Sequence, residues 1–243
     1  MPACVLEVAA NSLDSALAAQ AGGAGRIELC TALELGGLTP SHGEIALVRE
    51  QVRLPLYVLI RPRAGDFLYS DGERATMRRD IEACAALGCD GVVLGALDAD
   101  GDVDMEACSE LVMAAGRMGV TFHRAFDLVR EPMRALEDIV ALGAERVLTS
   151  GGKPSALDGV PQIKACIERA GSRLTVMPGA GITPDNIARL AALTGARELH
   201  ASAKRVIPSG MRYRAADGLG MDGGEWRSDE EQVRALVQAW AAV

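Results

Sequence analysis

Short apolar segments recur along the chain, and stretches with helical periodicity separate them. Eight such segments begin near Cys4, Arg26, Leu54, Gly91, Val120, Arg146, Leu174 and Ala196. Continuous apolar runs of roughly four to eight residues are typical of strands that are buried on both faces. The pattern therefore predicts eight strands that alternate with helices.

Signals for helix ends support this alternation. Pairs with the spacing of a capping box precede several helices, namely Ser41 with Glu44, Ser70 with Glu73 and Ser228 with Glu231. Asp104 is expected to cap the fourth helix, and Thr183-Pro184 provides an N-cap followed by proline at the first helical position. Glycines such as Gly88 and Gly143 are expected to end helices in the left-handed conformation.

Eight strand–helix units without a linker predict a (β/α)8 TIM barrel that forms one domain over residues 1–243. Barrels of this type commonly contain about 250 residues, and the chain has 243. The alternative is an open, doubly wound sheet. Such a sheet usually opens with a glycine-rich dinucleotide fingerprint, which this sequence lacks.

Composition restricts the possible partners and the compartment. Hydrophobic residues make up 49% of the chain and aromatic residues only 3%, so Ala, Leu, Val and Ile must build the core. A net charge of −8 disfavours nucleic acid and anionic lipid as partners. No apolar run approaches the roughly 20 residues of a membrane span, and the N-terminal segment does not resemble a secretory signal.

Cysteine usage indicates a reduced, cytoplasmic protein. The six cysteines are scattered and form no Cys-x-x-Cys pair. Cys84, Cys89, Cys108 and Cys166 lie in or beside helical patterns, where a free cysteine behaves as a small buried hydrophobe. We therefore expect these four side chains to pack in the core.

Polar residues mark the C-terminal ends of the predicted strands. Strand alternation places one set on the inner face: Glu7, Glu28, Cys30, Arg61, Arg63, Asp98, His123, Thr149, Met177, Glu198, His200 and Ser202. Packing alone does not explain such a set, because Glu, Arg and His cost free energy when they are buried unpaired. A ligand site is favoured, since barrel active sites lie at this end. The alternative is an internal ion-pair network, for example between Glu28 and Arg61.

Two further segments indicate binding of an anion. Residues 176–186 combine glycines with a capped helix start, and helix N-termini bind phosphate through free backbone N–H groups. Arg61 and Arg63 could clamp a carboxylate or phosphate between them. The predicted anion-binding residues are Arg63, Ser150, Gly151, Gly179, Gly181 and Lys204.

The chain resembles the CutC family of copper homeostasis proteins over nearly its full length. The matching segments are residues 26–30, 36–41, 60–63, 65–67, 69–71, 121–127, 147–151, 178–181 and 211–214. The resemblance implies a cytoplasmic TIM barrel that is often a dimer or a larger homo-oligomer. It also implies a role in copper tolerance through Cu(I) binding.

The resemblance also suggests copper ligands. Cys30 matches the family's strand-two cysteine, and His123 and His200 complete the candidate metal set. Ala9 and Ala10 stand where family members often have cysteine. Cu(I) prefers soft thiolate and thioether ligands, so this difference reduces the number of suitable donors.

Two other functions remain open on the residues themselves. A TIM-barrel isomerase, epimerase or lyase would act on a small anionic or phosphorylated metabolite. Its predicted catalytic residues are Glu7, Glu28, Arg61 and His123, with a Glu and His123 exchanging protons. A metal-assisted phosphodiester hydrolase would instead use Glu7, Glu28 and Asp98 as Mg²⁺ ligands. Residues 204–227 form a long connection that is predicted to be a lid, an interface or partly disordered.

Overall fold

The computed structural model describes residues 4–213 and 223–241, which form a parallel barrel with helices around it. The strands are β1 (Val5–Ala10), β2 (Arg26–Leu29), β3 (Leu56–Leu59), β4 (Gly91–Leu94), β5 (Gly119–Phe122), β6 (Arg146–Thr149), β7 (Thr175–Pro178), β8 (Glu198–Ala201), β9 (Lys204–Ile207) and β10 (Glu225–Ser228). The helices are α1 (Leu13–Gly22), α2 (His42–Gln51), α3 (Asp71–Ala86), α4 (Met105–Ala115), α5 (Pro132–Ala141), α6 (Val160–Ala170), α7 (Ile187–Thr194) and α8 (Glu230–Ala241).

The first eight strands pair in parallel, in the order β7-β6-β5-β4-β3-β2-β1-β8. A parallel bridge between Gly179 and His200 joins the two outer strands and closes the ring. The predicted (β/α)8 TIM barrel is therefore confirmed. Closure gives one rim at which all eight C-terminal strand ends meet.

Helix capping follows the sequence in some places and departs from it in others. The capping box of Ser70 and Glu73 is formed, and Asp104 caps α4 through the backbone N–H of Ala107. The prediction for Ser228 is wrong. This residue ends β10, and its hydroxyl donates to the carbonyl of Ala9.

Helix α7 begins one turn later than predicted. The carbonyl of Thr183 accepts the N–H of Ile187 at 3.0 Å, while the N–H of Thr183 donates to the Asn186 side chain. Residues 183–186 therefore form a hydrogen-bonded turn at the barrel rim, and the regular helix follows it.

The core has two parts. The larger part lies between the strands and the helices and contains fully buried side chains such as Ile27, Leu56 and Leu94. Each such burial contributes about 1.5–3 kcal/mol relative to exposure. The smaller part lies inside the barrel and consists of Ala9, Cys30, Tyr57, Leu59 and Val93.

Tyr57 fills the lower end of the barrel interior. A Cβ on Gly91 would lie 2.1 Å from the Tyr57 ring, and one on Gly119 would lie 2.2 Å from its hydroxyl. The guanidinium groups of Arg26 and Arg146 lie over the ring at 5.4 and 4.8 Å from its centroid. Glycine at both positions is needed because the tyrosine occupies the space that other side chains would take.

The connection before α8 contains an antiparallel hairpin of β9 and β10. Arg214 and the other residues from 214 to 222 lie outside the described part of the chain, so a lid or interface there stays a prediction. In the described part, no helix has the length and apolar character needed to cross a membrane.

Candidate functional site

A cavity of about 680 Å³ opens at the C-terminal rim of the barrel. Eight of the predicted site residues line it: Glu28, Cys30, Arg61, His123, Gly181, His200, Ser202 and Lys204. Each lies near the C-terminal end of a barrel strand or just beyond it. Glu7 lies directly beneath the cavity, where its carboxylate contacts His200. Strand alternation thus brings most of the predicted residues together.

Glu7 anchors the floor of the cavity through two basic partners. Its side chain is fully buried, forms an ion pair with Arg26 and contacts Nδ1 of His200 at 2.8 Å through Oε1. Burial by itself would raise the pKa of Glu7, but Arg26 and His200 outweigh it and lower the pKa to about 2. Glu7 is therefore a carboxylate at all ordinary pH values.

His200 is favoured in its charged form. Burial lowers its pKa, but the nearby carboxylates of Glu28 and Glu7 outweigh that effect, and the net pKa is raised. An imidazolium at this position separates the two carboxyl groups. It therefore reduces the repulsion that they would otherwise exert on each other.

Glu28 has an incomplete set of partners. Its Oε2 atom is buried and has no hydrogen-bond partner among the described residues. Burial raises the pKa of Glu28 to about 7, and the negative charge of Glu7 adds to this effect, while His200 and Arg26 oppose it. A carboxyl group with such a pKa can both accept and donate a proton near neutral pH.

His123 presents a neutral ring to the cavity. Its Nδ1 accepts the backbone N–H of Ala125 at 3.2 Å, which places the ring proton on Nε2. That Nε2 is buried and has no partner in the described residues. Burial and the charge of Arg61 lower the pKa of His123 to about 3. The ring packs on Phe67, with 4.8 Å between centroids, so its donor has a fixed direction.

Arg61 brings a buried positive charge to the cavity wall. Its Nη atoms donate to the carbonyls of Leu35, Gly37 and Gly65, each at 2.9 Å. Its Nε is buried without a partner in the described residues. Within that part of the chain Arg61 has no carboxylate partner, and the ion pair with Glu28 that the sequence allowed does not form. A buried guanidinium with only carbonyl partners attracts an anion.

Arg63 lies away from the cavity lining. Its guanidinium pairs with Glu73 and Asp66 and donates to the carbonyl of Leu68, and it packs on the Tyr69 ring. These contacts hold the loop after β3 against the start of α3. The structure therefore does not bring Arg63 and Arg61 to one ligand.

The loop after β6 contains an internal anion. The carboxylate of Asp127 accepts the backbone N–H groups of Ser150 at 2.9 Å and Gly152 at 3.1 Å, and the Thr149 hydroxyl at 2.5 Å. The N–H of Gly151 donates to the Thr149 side chain. Asp127 thus occupies the place predicted for a ligand anion, and neither Ser150 nor Gly151 lines the cavity.

The loop after β7 faces the cavity on its other side. Ala180 and Gly181 have φ angles of +82° and +69°, which turn the main chain at the rim. Gly179 has a packing role, because a Cβ there would lie 2.5 Å from the Leu148 side chain. Lys204 lines the mouth, with its Nζ 4.8 Å from the centroid of the Trp226 ring.

Arg26 is a functional residue that the sequence analysis missed. Besides Glu7 it contacts Glu198 at 2.6 Å and the sulfur of Met177 at 3.3 Å. It lies two residues before Glu28 on the same strand, so the alternation that identified Glu28 also points to Arg26. Arg146, at the start of β6, also points into the barrel interior, where its Nε contacts the carboxylate of Glu198 at 3.2 Å.

A family model described as the CutC family matches residues 4–205. The chain belongs to the CutC family. A CutC family protein of Xanthomonas campestris pv. campestris (strain B100) is 54% identical over 233 residues, which cover 96% of this chain and 97% of the relative.

Two further CutC proteins carry copper homeostasis in their names. The copper homeostasis protein cutC homolog of Mus musculus is 51% identical over 210 residues, covering 86% of this chain and 77% of the relative. The crystal structure of the copper homeostasis protein CutC from Streptococcus agalactiae has a TM-score of 0.79 and 32% identity, covering 82% of this chain and 98% of that chain. The predicted family resemblance is confirmed.

The candidate metal donors of this CutC barrel are two carboxylates and an imidazole. In the described residues, one group of three can hold an ion: Glu7, Glu28 and His200, whose ligand atoms lie within 4.8 Å of one another. Asp98, predicted as a Mg²⁺ ligand, lies outside the cavity, and its Oδ1 accepts the N–H groups of Asp100 and Asp102. Carboxylate and imidazole donors suit a hard or intermediate divalent cation.

Cu(I) does not fit this donor set. Cys30 is the cysteine in the cavity wall, and it belongs to no three-residue metal group in the described residues. Burial raises the pKa of its thiol well above the usual range, and the carboxylate of Glu28 adds to that effect. A thiol that keeps its proton is a poor ligand, because metals bind the thiolate.

Proposed function

We propose that this CutC protein is an isomerase, epimerase or lyase that moves a proton on a small anionic metabolite. The observation that carries the proposal is the Oε2 of Glu28, which is buried at the cavity and has no hydrogen-bond partner among the described residues. The pKa of about 7 at this carboxyl is suited to a general acid or base. The cavity volume of about 680 Å³ suits a small metabolite.

Each polar group of the cavity has a distinct role in this proposal. Glu28 takes a proton from the substrate or returns it. His123 donates from Nε2 to the oxygen on which negative charge develops, as a neutral imidazole can. Burial raises the pKa of Glu28; Glu7 adds to this effect, while His200 and Arg26 oppose it and keep the floor of the cavity polar.

The anionic group of the substrate is expected near Arg61 and Lys204. Arg61 is buried without a carboxylate partner in the described residues, and Lys204 lines the mouth. The turn at Gly181 supplies further backbone to that side of the cavity. A carboxylate or phosphate fits these groups, because charge-assisted hydrogen bonds are strongest with such oxygens.

Proton exchange in D2O tests this function directly. Candidate hydroxy acids, keto acids and sugar phosphates are incubated with the protein, and loss of carbon-bound protons is followed by NMR. Exchange on at least one class is expected with the wild type and is expected to vanish in Glu28→Gln. The exposed Glu34 provides a matched control, since Glu34→Gln should retain full exchange. Equal exchange rates in wild type and Glu28→Gln would refute the proposed role.

A second candidate is Cu(I) binding at the barrel mouth through Cys30. Two observations favour it: the position of Cys30 in the cavity wall and the copper homeostasis named for relatives. The hard donors around Cys30 argue against it. Anaerobic titration with Cu(I) against a competing chelator decides, because loss of tight binding in Cys30→Ser would establish this site.

We further propose that the protein is cytoplasmic, forms homo-oligomers and folds as one domain over residues 1–243. All six cysteines are free, which suits a reducing compartment. Exposed apolar side chains on and beside the hairpin, including Val206, Met211, Tyr213 and Trp226, suit a contact between subunits. Light scattering after size-exclusion chromatography measures the oligomeric state, and a single cooperative unfolding transition is expected for one domain.

A further inference from the structure

Polar atoms without partners are concentrated at the cavity. Five buried side-chain nitrogen or oxygen atoms in the described residues have no hydrogen-bond partner. Three of them belong to residues that line the cavity: Oε2 of Glu28, Nε of Arg61 and Nε2 of His123. A buried polar atom without a partner costs free energy, so a ligand or a water molecule is expected to supply each missing bond. The ligand must therefore match two N–H donors and one carboxyl group.

The Phe67 ring brings the two N–H donors together. The guanidinium carbon of Arg61 lies 5.1 Å from the centroid of this ring, and the centroid of the His123 ring lies 4.8 Å from it. The positive charge of Arg61 also adds to the effect of burial in lowering the pKa of His123. One cationic donor and one neutral donor therefore share the same part of the cavity wall.

The two donors suit two different oxygens. The guanidinium of Arg61 binds a carboxylate through charge-assisted hydrogen bonds. His123 is neutral, because burial lowers its pKa to about 3, and its Nε2 carries the ring proton. A neutral donor suits an oxygen that is uncharged in the substrate and becomes negative during the reaction. The pair is therefore complementary to a carboxylate with a carbonyl group beside it.

Side chains of the protein occupy backbone donors at three places on the rim where barrels often bind phosphate. Asp127 accepts N–H groups of the loop after β6, Asn186 accepts one in the turn after β7 at 2.9 Å, and Asp229 accepts one at the start of α8 at 3.1 Å. Those N–H groups are not available to a phosphate. The Nε–H of Arg61 has no partner in the part of the chain that the structure describes, which favours a planar carboxylate there.

We propose that the substrate is a 2-oxo carboxylate that places its carboxylate at Arg61 and its keto oxygen at His123. This assignment rests on the proposed function of Glu28 and names the substrate class for that site. Ionised Glu28 takes a proton from the carbon next to the keto group. The electron pair of the broken C–H bond forms a C=C bond, and the carbonyl π pair moves to the keto oxygen, which accepts a hydrogen bond from His123. Return of the proton to carbon restores the keto group and the carboxylate of Glu28, and no other reactant is consumed.

Apolar side chains leave room for the rest of the molecule. Leu59, Leu148 and Ile182 line the cavity together with the polar groups. The volume of about 680 Å³ is larger than one carboxylate and one carbonyl group require. A 2-oxo acid with a carbon chain beyond the keto group therefore fits, with that chain against the apolar wall.

Binding of small anions tests the ligand class without turnover. Oxamate has a carbonyl beside a carboxylate, and propionate has the same charge without the carbonyl. Calorimetric titration of the full-length protein should show oxamate binding about 5-fold or more tighter than propionate, and tighter than inorganic phosphate, because the carbonyl gains a hydrogen bond. His123→Phe should abolish the preference over propionate, whereas Arg61→Lys should weaken both anions and Arg63→Lys neither. Wild-type protein that binds phosphate or propionate as tightly as oxamate would overturn the assignment.

Proton exchange in D2O separates this assignment from the proposed function. 2-Oxobutyrate and dihydroxyacetone phosphate both carry protons next to a ketone, and only the first has a carboxylate. Wild-type protein should exchange the C3 protons of 2-oxobutyrate faster than those of the phosphate ester, and Glu28→Gln should not. Glu28-dependent exchange confined to dihydroxyacetone phosphate would overturn the 2-oxo carboxylate and retain the proposed function. Preferred oxamate binding with equal exchange in wild type and Glu28→Gln would overturn the proton transfer and retain the ligand class.

Discussion

The Oε1 atom of Glu7 lies 2.8 Å from Nδ1 of His200, and the other carboxylate oxygen of Glu7 pairs with Arg26. The two residues belong to neighbouring strands, β1 and β8, and they face each other in the strand register. Their contact links β1 to β8 at the floor of the cavity. Burial is the main cause of the raised pKa of Glu28, and the two residues act on that pKa in opposite directions: His200 lowers it and Glu7 raises it.

Glu7→Gln is expected to destabilise the protein strongly. The change leaves Arg26 with Glu198 as its remaining carboxylate partner in the described residues. It also removes the negative charge of Glu7 that faces the imidazole of His200. Breaking a buried ion pair on one side costs about 3–5 kcal/mol. Urea unfolding near pH 7 measures this difference, and Glu34→Gln should lie within error of the wild type. A loss as small as that of a surface substitution would show that the pair contributes little.

Glu28→Gln is expected to become relatively more stable as the pH rises. The pKa of this carboxyl is raised to about 7 in the folded state, so the folded protein binds the proton more tightly than the unfolded chain does. The group therefore lowers wild-type stability as the pH increases from about 5 to about 7, by a few kcal/mol at most. The amide does not titrate and lacks this slope.

Unfolding free energies of wild type and Glu28→Gln at several pH values check this dependence. The difference between them should grow in favour of the variant across that window and level off above it. A constant difference from pH 5 to pH 8 would contradict a raised pKa at Glu28.

Arg61→Lys is expected to weaken binding of inorganic phosphate. Lysine cannot reproduce the three carbonyl contacts and the directed Nε–H of the guanidinium. Loss of one charged hydrogen bond costs about 1.5–3 kcal/mol, which is roughly 10- to 100-fold in affinity. Calorimetric titration with phosphate measures it. Arg63→Lys is the matched control, since Arg63 lies outside the cavity lining. An equal loss of phosphate affinity in both variants would show that Arg61 does not form the anion site.

Gly95→Ala is expected to displace His123. A Cβ at Gly95 would lie 2.8 Å from the His123 ring and 3.1 Å from that of Phe122, and both rings are buried. Overpacking of this kind costs about 1–3 kcal/mol. The NMR signals of the His123 ring and the thermal midpoint should both shift. Gly72→Ala in α3 has no atom within 4 Å and should instead stabilise by about 0.5–1 kcal/mol. Unchanged NMR signals of the His123 ring in Gly95→Ala would show that the site accommodates the added methyl group without moving His123.

The barrel and the inward-facing residues at the C-terminal strand ends could be predicted from the sequence because both depend on local periodicity. Runs of apolar residues locate the eight strands, and period-two alternation places Glu28 and His200 on the inner face. Those predictions need no knowledge of distant contacts. They use only the geometry of a strand and the position of active sites in barrels.

The remaining features depend on contacts between segments that are distant in sequence. Asp127 fills the loop after β6 from another strand end, and nothing in residues 149–152 reveals that their N–H groups are already satisfied. Arg63 pairs with Glu73 across a helix start rather than turning inward.

Tyr57, packed against Gly91 and Gly119 at the start of β4 and β5, fills the barrel interior at the N-terminal ends of the strands. The cavity is consequently reached from the C-terminal rim of the barrel. In the proposed reaction, a product leaves at the rim, where Lys204 lines the cavity, before the next substrate molecule enters. A ligand that reaches Glu28 therefore enters and leaves at the same end of the barrel, and entry competes with exit.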